Sequence, residues 1–230
     1  NYLDHKNEMF SNILELISSK KDIGYYLYKG EYYSISDPKR YLLTEKFLKN
    51  KKILLLDRDG TINVKAKKAR YIKNWNEFFF IEDTLKGLKI LSNLGFSFIV
   101  ITNQAGIGRG MIKEEDVNDI HKKMTEKLKE QGINILNVYY CPHHWEDDCD
   151  CRKPKTNLFH LASKEYLFRL DKVIYVGDDP RDMLASANAF CSGIFLGKKK
   201  ELKNFNDRHI LNINSSFQKS INIIKKFYKN

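Results

Sequence analysis

The sequence predicts an α/β fold built on a doubly wound parallel sheet, in which helices cover both faces of the strands. From residue 51 onward, short apolar runs alternate with longer stretches of helical period. Strands that alternate with helices form parallel sheets, because each helix carries the chain back to start the next strand. Several of the apolar runs end in acidic or small polar residues, at the strand ends where such folds bind their ligands.

Five strands and four helices are predicted in chain order. The strands lie in KKILLLDRDG, FSFIVITNQ, INILNVYYC, DKVIYVGDD and SGIFLG. The helices between them lie in EDTLKGLKILSNLG, KEEDVNDIHKKMTEKLKEQG, TNLFHLASKEYLF and PRDMLASANAF. Glycines follow the first two helices, Thr156 or Asn157 is expected to cap the third, and Pro180 opens the fourth.

Composition divides the chain into three segments, residues 1–50, 51–197 and 198–230. The middle segment carries the strand and helix pattern and is expected to be the main domain. The last segment holds nine Lys/Arg against two Asp/Glu. Because it shows no alternation of aromatic and basic residues, we interpret it as a solvated basic segment rather than a nucleic-acid or membrane contact. We expect it to end in a helix that packs on the main domain.

The hydropathy and the cysteine content of the chain indicate where in the cell the protein is located. No apolar run is long enough for a transmembrane helix, and no signal peptide is visible. The chain has 230 residues and four cysteines, of which three are clustered. That pattern differs from a secreted disulfide scaffold, so a cytoplasmic location is expected.

The first predicted strand ends in two carboxylates. Asp57 and Asp59 lie two residues apart and therefore on one side of an extended chain. Neighbouring carboxylates repel unless they share a proton or a cation lies between them, and oxygen ligands favour Mg²⁺. An aspartate can also attack phosphorus to form an aspartyl-phosphate. Two solvated acids in a loop are the alternative.

Other strand ends add polar groups to the same edge. The glycine-rich turn after the second strand is expected to contact an anionic substrate through the residues Thr102, Asn103, Gln104 and Arg109. The fourth strand ends in Asp178 and Asp179, which would complete a carboxylate set for the metal. Arg152 and Lys153 follow the third strand's loop and could neutralise phosphate charge.

The stretch between the third strand and Lys153 has the composition of a metal site. Cys141, His143, Cys149 and Cys151 give four sulfur and nitrogen ligands within eleven residues. Such a set suits tetrahedral, structural Zn²⁺. A disulfide and a metal-free acidic loop are the alternatives, and His144 is a second candidate for the histidine ligand.

Taken together, the four strand ends resemble the motifs of the haloacid dehalogenase superfamily of phosphatases, DxDGT, Thr/Ser, Lys and GD(x)D. The resemblance implies a Mg²⁺-dependent reaction in which Asp57 is the nucleophile and Asp59 the general acid and base. Thr102 and Lys153 would hold the transferring phosphoryl group. Asp57, the Asp59 carbonyl and Asp178, with Asp179 as a further candidate, would bind Mg²⁺.

The pattern CPH…CDCRKP resembles one branch of that superfamily. The branch contains the heptose 1,7-bisphosphate 7-phosphatases and the phosphatase half of the histidinol-phosphate enzyme. DRDGTIN, TNQAGIGRG and YYCPHH are most similar to the heptose enzymes. The resemblance covers residues 51–197 and implies removal of the 7-phosphate from D-glycero-D-manno-heptose 1,7-bisphosphate, for surface glycans, with the zinc loop as a minimal cap. Histidinol phosphate is the alternative substrate. The basic charge suggests a nucleic-acid 3′-phosphatase as a third enzyme option, but those relatives lack the zinc loop. A zinc-stapled binding module is the alternative to an enzyme.

Two departures from the branch concern substrate binding. Asp179 stands where relatives often carry a basic residue, so a substrate contact is expected to be lost. A basic loop follows the first motif, and its cations are expected either to contact the second phosphate or to be solvated; they are Lys65, Lys67, Lys68 and Arg70. Arg152 is expected to help bind the substrate.

The first 50 residues are predicted to form a helix at 5–21, a hairpin at 24–35 and a turn and helix at 37–50. They resemble a different family. YSISDPKRY and its flanks are similar to the end of a sugar-phosphate nucleotidyltransferase, and the first residue is Asn rather than Met. We therefore expect the chain to be the C-terminal part of a bifunctional protein. The alternative is an unrelated extension. The expected partner is a small sugar bisphosphate, and no nucleic acid or membrane partner is expected.

Overall fold

The computed structural model describes residues 36–49, 51–67, 70–202 and 209–229. The chain separates into two units, residues 1–44 and 45–230. The predicted turn and helix at 37–50 correspond to helix α1 (Pro38–Lys49), whose start is capped by the Asp37 carboxylate accepting from the Arg40 amide. The helix predicted at 5–21 and the hairpin at 24–35 lie outside the described residues.

The second unit contains a parallel sheet, as the alternation of strands and helices predicts. Its strands are β1 (Ile53–Leu56), β2 (Ser97–Asn103), β3 (Ile135–Cys141), β4 (Ile174–Gly177), β5 (Ser192–Leu196) and β6 (Ile210–Asn214). They lie in the order β3-β2-β1-β4-β5-β6, and every pairing is parallel. The chain builds outward in both directions from β1. The carboxyl ends of β1 and β4 therefore flank the crevice where such sheets bind ligands.

Five helices connect and cover the strands. They are α2 (Glu82–Asn93), α3 (Glu114–Glu130), α4 (Asn157–Tyr166), α5 (Pro180–Asn188) and α6 (Phe217–Phe227). Pro180 occupies the first turn of α5 as predicted, and Thr156 is the residue before α4, although its side chain makes no capping hydrogen bond. No helix among the described residues has the length and apolarity needed to cross a membrane.

The alternation of side chains along β1 divides the core into two layers. Leu54 and Leu56 face a cluster shared with α2, α3 and α6, whereas Ile53 and Leu55 face a cluster shared with α4 and α5. All four side chains are buried. Each buried leucine or isoleucine contributes roughly 1.5–3 kcal/mol. The strand that carries Asp57 is thus fixed from both faces.

Strand β6 extends this domain beyond the strands predicted from the sequence, whereas a helix was expected at the end of the chain, where α6 lies. The sequence pattern missed β6, because ILNIN is short, only partly buried and lies within a Lys/Asn-rich segment. Helix α6 buries Phe217, Ile221 and Ile224 against the core. The Phe217 ring lies where a side chain at Gly87 would stand, since a Cβ added there would be 2.3 Å from the ring.

A carboxylate on α2 anchors the start of α6. Asp83 accepts hydrogen bonds from the Phe217 amide, the Gln218 side chain and the Ser216 hydroxyl.

Replacing Asp83 with alanine should lower the free energy of unfolding by about 1–2 kcal/mol, because the α6 amides lose their acceptor. Chemical denaturation measures this. Glu82→Ala, at an exposed neighbour in the same turn, is the control and should change stability little. Equal losses in both variants would contradict the anchoring role.

Candidate active site

The candidate site is a cavity at the carboxyl ends of the central strands. It has a volume of about 80 Å³. The backbone amide of Asp57 donates to the Val176 carbonyl, which ties the loop after β1 to β4. The cavity is lined by Asp57, Asp59, Lys65, Thr102, Asn103, Lys153, Asp179, Arg181 and Asp182. Residues predicted at four separate strand ends therefore meet in one place.

Lys153 is a buried cation within this cavity. Its ammonium lies 2.7 Å from Asp57 Oδ1 and 2.7 Å from Asp182 Oδ1, and its side chain is only 4% exposed. It also donates to the Tyr175 hydroxyl and the Ile101 carbonyl. Burial alone would lower the pKa of Lys153, but the Asp182 and Asp57 carboxylates outweigh burial and raise it. Lys153 is therefore charged and supplies a fixed positive charge beside Asp57.

Asp57 is buried in a surplus of negative charge. Burial raises the pKa of Asp57 to about 7; Lys153 opposes this rise, whereas Asp182 and Asp178 add to it. Burial likewise raises the pKa of Asp178 to about 6, opposed by Lys65. Two lysines, Lys153 and Lys65, face the three carboxylates of Asp57, Asp178 and Asp182, so one negative charge is left over and the cluster favours a further cation.

The three carboxylates are arranged to hold that cation. One ligand oxygen each from Asp57, Asp178 and Asp182 lies within 4.8 Å of the others. Asp178 Oδ1 is buried and accepts no hydrogen bond, so one acceptor in the cluster is unused. A Cβ at Gly60 would lie 2.2 Å from the Asp178 carboxylate, so only glycine leaves Asp178 its position. Hard oxygen donors of this kind fit a divalent cation.

Asp182 was absent from the predicted ligand set, because in the sequence it looks like an ordinary acidic residue in the first turn of a helix. Asp182 lies in the first turn of α5, where its Oδ2 accepts from the Asp179 amide in a capping box. Asp179, the predicted further candidate, does not join the carboxylate group. Arg181 instead donates from Nε and Nη2 to both Asp179 oxygens. Those bonds outweigh the effect of burial and hold the pKa of Asp179 below its usual range.

Asp59 is held by a separate set of donors. Arg58 Nη2 lies 3.0 and 2.8 Å from the two carboxylate oxygens, Asn63 donates to Oδ1 and Gln104 donates to Oδ2. Burial would raise the pKa of Asp59, but Arg58, Asn63 and Gln104 together hold it below its usual range. Arg58 also donates to Nε2 of His121 on α3, a contact that no sequence pattern signals.

The end of β2 provides a hydroxyl group to the cavity and an amide side chain that holds the backbone of Lys153. Thr102 Oγ1 accepts from Gln104, which leaves the hydroxyl hydrogen for an acceptor in the cavity. Gln104 was expected to contact the substrate, yet it is buried and its amide bonds within the protein. Asn103 accepts from the Lys153 amide and donates to the Lys153 carbonyl.

The predicted zinc ligands form one cluster. Sγ of Cys141, Cys149 and Cys151 and Nδ1 of His143 all lie within 4.8 Å of one another. The Sγ atoms of neighbouring cysteines are 3.5 and 3.6 Å apart, far longer than a disulfide of about 2.05 Å and close to the edge of a tetrahedral zinc site. His144 lies elsewhere and stacks on Trp145.

The remaining predicted substrate residues lie in different places. Lys65 reaches into the site and donates to Asp178 at 2.6 Å. Arg109 is exposed, donates to the Tyr71 hydroxyl and lies 4.8 Å from the Trp145 ring. Arg152 is half-buried and, with the exposed Lys67 and Arg70, does not line the cavity. Lys68 lies outside the described residues.

Comparison with known proteins links this geometry to phosphatases. Residues 52–222 match the family described as polynucleotide kinase 3 phosphatase. A probable D-glycero-D-manno-heptose-1,7-bisphosphate 7-phosphatase of Thermoplasma volcanium is 43% identical over 127 residues, 55% of this chain and 85% of that protein. The crystal structure of D,D-heptose 1.7-bisphosphate phosphatase from B. bronchiseptica, complexed with magnesium and phosphate, aligns with a TM-score of 0.69 at 27% identity. That alignment covers 76% of this chain and 98% of the other.

One further relative represents the histidine pathway. The histidine biosynthesis bifunctional protein HisB of Campylobacter jejuni subsp. jejuni is 34% identical over 157 residues. The match covers 67% of this chain but 45% of HisB. The likeness is therefore confined to one part of that bifunctional protein.

The Gly60 position gives a test of the carboxylate cluster. Gly60→Ala should weaken the binding of Mg²⁺ by at least about tenfold, because the new Cβ displaces Asp178. Isothermal titration with MgCl₂ measures the affinity. Gly110→Ala is the matched control, because Gly110 also has a positive φ, +64° against +91° at Gly60, but has open space around its Cβ position. An unchanged affinity in Gly60→Ala would contradict the proposed arrangement.

Proposed function

The chain belongs to the haloacid dehalogenase superfamily, in the phosphatase family that includes the heptose 1,7-bisphosphate 7-phosphatases, and we propose that it hydrolyses the 7-phosphate of D-glycero-D-manno-heptose 1,7-bisphosphate. The observation that carries this proposal is the contact between Lys153 and Asp57, in a cavity that also holds Asp59 and Thr102. A buried carboxylate beside a fixed cation is suited to attack phosphorus, since the cation offsets the charge of the phosphoryl oxygens.

The proposed reaction has two halves. Asp59 is ionised in the free protein and takes up a proton when the dianionic phosphate binds beside it. Asp57 attacks phosphorus through a carboxylate oxygen, and the bond between phosphorus and the sugar oxygen breaks as Asp59 gives that oxygen this proton. The sugar leaves as an alcohol, and Asp57 carries the phosphoryl group. Asp59 then takes a proton from water as the water oxygen attacks phosphorus. The bond to Asp57 breaks, and inorganic phosphate leaves.

Lys153 and Thr102 would stabilise the transferring group in both halves. The Lys153 ammonium stands within hydrogen-bonding distance of the Asp57 oxygen, next to the place where a phosphoryl oxygen would arrive. The Thr102 hydroxyl hydrogen is free of the bond that Gln104 makes to its oxygen. Both groups are held in advance, so little reorganisation is needed during the reaction.

Magnesium is the proposed cofactor of this site. Asp57, Asp178 and Asp182 would hold it, with the Asp59 carbonyl as the ligand implied by the family resemblance. The unused Asp178 oxygen and the glycine that makes room for it support the fit. When bound, magnesium would neutralise carboxylate and phosphate charge.

Zinc is the proposed occupant of the Cys/His cluster, in a structural role. Four protein ligands complete a tetrahedral site and leave no position for a substrate. The cluster ends at Cys151, two residues before Lys153, so the metal would fix the loop that delivers Lys153 to Asp57.

Further proposals concern the setting of the enzyme. We propose a cytoplasmic location, supported by four unpaired thiols. Fusion of this chain to an upstream nucleotidyltransferase is also a proposal, and an upstream reading frame without such a domain would contradict it. HisB shows that a relative of this domain occurs within a bifunctional protein of another kind.

A panel of phosphate esters tests the proposed substrate. Phosphate release should be fastest with one anomer of heptose 1,7-bisphosphate, slower with fructose 1,6-bisphosphate and histidinol phosphate, and absent with a 3′-phosphorylated DNA oligonucleotide.

Asp57→Asn should abolish turnover of every ester, a loss of at least about 10⁴-fold. Asp119→Asn, at an exposed position on α3, is the control. Faster release from histidinol phosphate or DNA would contradict the proposed substrate, and turnover by Asp57→Asn would contradict the proposed nucleophile.

The pKa values predict how magnesium binding depends on pH. Asp57 and Asp178 titrate at about 7 and about 6 in the metal-free protein. Because these values are raised, protons compete with the metal as the pH falls through 7. The apparent affinity for Mg²⁺ should therefore fall by about 10- to 20-fold between pH 8 and pH 6, which calorimetric titration measures. A pH-independent affinity would show that the carboxylates are already ionised at pH 6.

The zinc proposal makes a prediction about stability. Cys149→Ser should lose zinc, unfold at a lower temperature and lose activity, because Lys153 is no longer held. Metal analysis and thermal melting measure these effects. Cys191→Ala, at a buried thiol outside the cluster, should keep its zinc. Folded and active protein without zinc would rule the proposal out.

A further inference from the structure

Arg58 is a buried cation that the proposed reaction does not use. It is 1% exposed and stands between the two aspartates of the DxD motif. Burying a guanidinium is costly unless its N–H groups are bonded, and in Arg58 only Nε lacks a hydrogen-bond partner among the described residues. Nη2 donates to Asp59 and to Gln104 Oε1, and Nη1 donates to His121. The side chain therefore links three separate segments of the chain.

His121 fixes the far side of this guanidinium. A guanidinium has no acceptor, so His121 Nε2 accepts from Arg58 and the ring proton lies on Nδ1. His121 lies on α3, is 6% exposed and packs against the Tyr140 ring at 5.3 Å between centroids. Helix α3 thus determines the direction of the Arg58 guanidinium, whose planar arrangement of N–H groups forms a fork.

The fork determines the orientation of Asp59. Arg58 contacts both carboxylate oxygens, and Asn63 and Gln104 add one donor to each. Asp59 remains 23% exposed and lines the cavity with Asp57. A carboxylate that accepts several hydrogen bonds stays ionised and can therefore accept a proton. The second half of the proposed reaction requires Asp59 in this ionised state.

We infer that Arg58, anchored by His121, is a positioning residue that aligns the Asp59 carboxylate to take a proton from water when the aspartyl-phosphate is hydrolysed. The inference rests on the proposed phosphatase reaction and adds a requirement specific to its second half. For an ester whose leaving group needs no proton from Asp59, the first half depends on Asp57 and Lys153, neither of which contacts Arg58 among the described hydrogen bonds. Loss of the alignment should therefore slow hydrolysis of the aspartyl-phosphate more than its formation.

4-Nitrophenyl phosphate separates the two halves, because its leaving group departs without needing a proton. In Arg58→Met, kcat should fall about 100-fold, whereas kcat/KM, which reports only the first half, should stay within about threefold. Rapid mixing should show a burst of 4-nitrophenol that approaches the enzyme concentration, followed by slow turnover. Arg58→Lys, which keeps the charge but not the fork, should recover part of kcat.

A second variant tests the anchor without altering a buried charge. His121→Phe keeps a ring on α3 but removes the acceptor, and it should lower kcat about tenfold with kcat/KM unchanged. Met124→Ala is the matched control, because Met124 is buried on the same helix and lies outside the network. Its effect should be on stability, without a burst.

Three outcomes would overturn the inference. The first is an equal fall of kcat and kcat/KM in Arg58→Met and His121→Phe without a burst, since that reports general damage. The second is wild-type kinetics in both variants. The third, turnover by Asp57→Asn, would overturn the proposed reaction and this inference with it. Asp59→Asn is the positive control, because it should show the burst with almost no turnover.

Discussion

The site depends on one buried contact, that between the Lys153 ammonium and the Asp57 carboxylate. Each of these charges would be costly to bury alone, and the pair is stable because Asp182, Tyr175 and the Ile101 carbonyl surround the ammonium. The contact joins the loop after β1 to a residue 96 positions later. Two features hold Lys153 in place. The Asn103 side chain forms two hydrogen bonds with the Lys153 backbone, and the Cys/His cluster ends two residues before it, at Cys151.

The sequence predicted most of the fold because its signals are strong there. Continuous apolar runs such as ILLL, bounded by turn residues, are typical of strands buried on both faces, and the glycines and Pro180 indicate where helices end and begin. The parallel topology then brings the polar strand ends together. This explains why Asp57, Thr102, Lys153 and Asp178 were predicted as neighbours although they lie far apart in the chain.

Other features depend on geometry that no local pattern records. Asp182 reads as an ordinary residue in the first turn of a helix, yet α5 directs it at Lys153. Arg58 and His121 are 63 residues apart and become partners only through the packing of α3. Gln104 sits in a turn that suggests substrate binding, whereas its amide is used within the protein. β6 has too few buried residues to be distinguished from its basic surroundings.

The central claim is that Asp57, paired with Lys153, becomes phosphorylated. The most direct test is acid quenching of Asp59→Asn during incubation with Mg²⁺ and 4-nitrophenyl phosphate, whose leaving group needs no proton, followed by mass spectrometry of the peptides. The account predicts one added phosphoryl group on the peptide that contains Asp57, sensitive to hydroxylamine as an acyl phosphate is. No phosphorylated peptide, or a phosphoryl group on another residue, would contradict it.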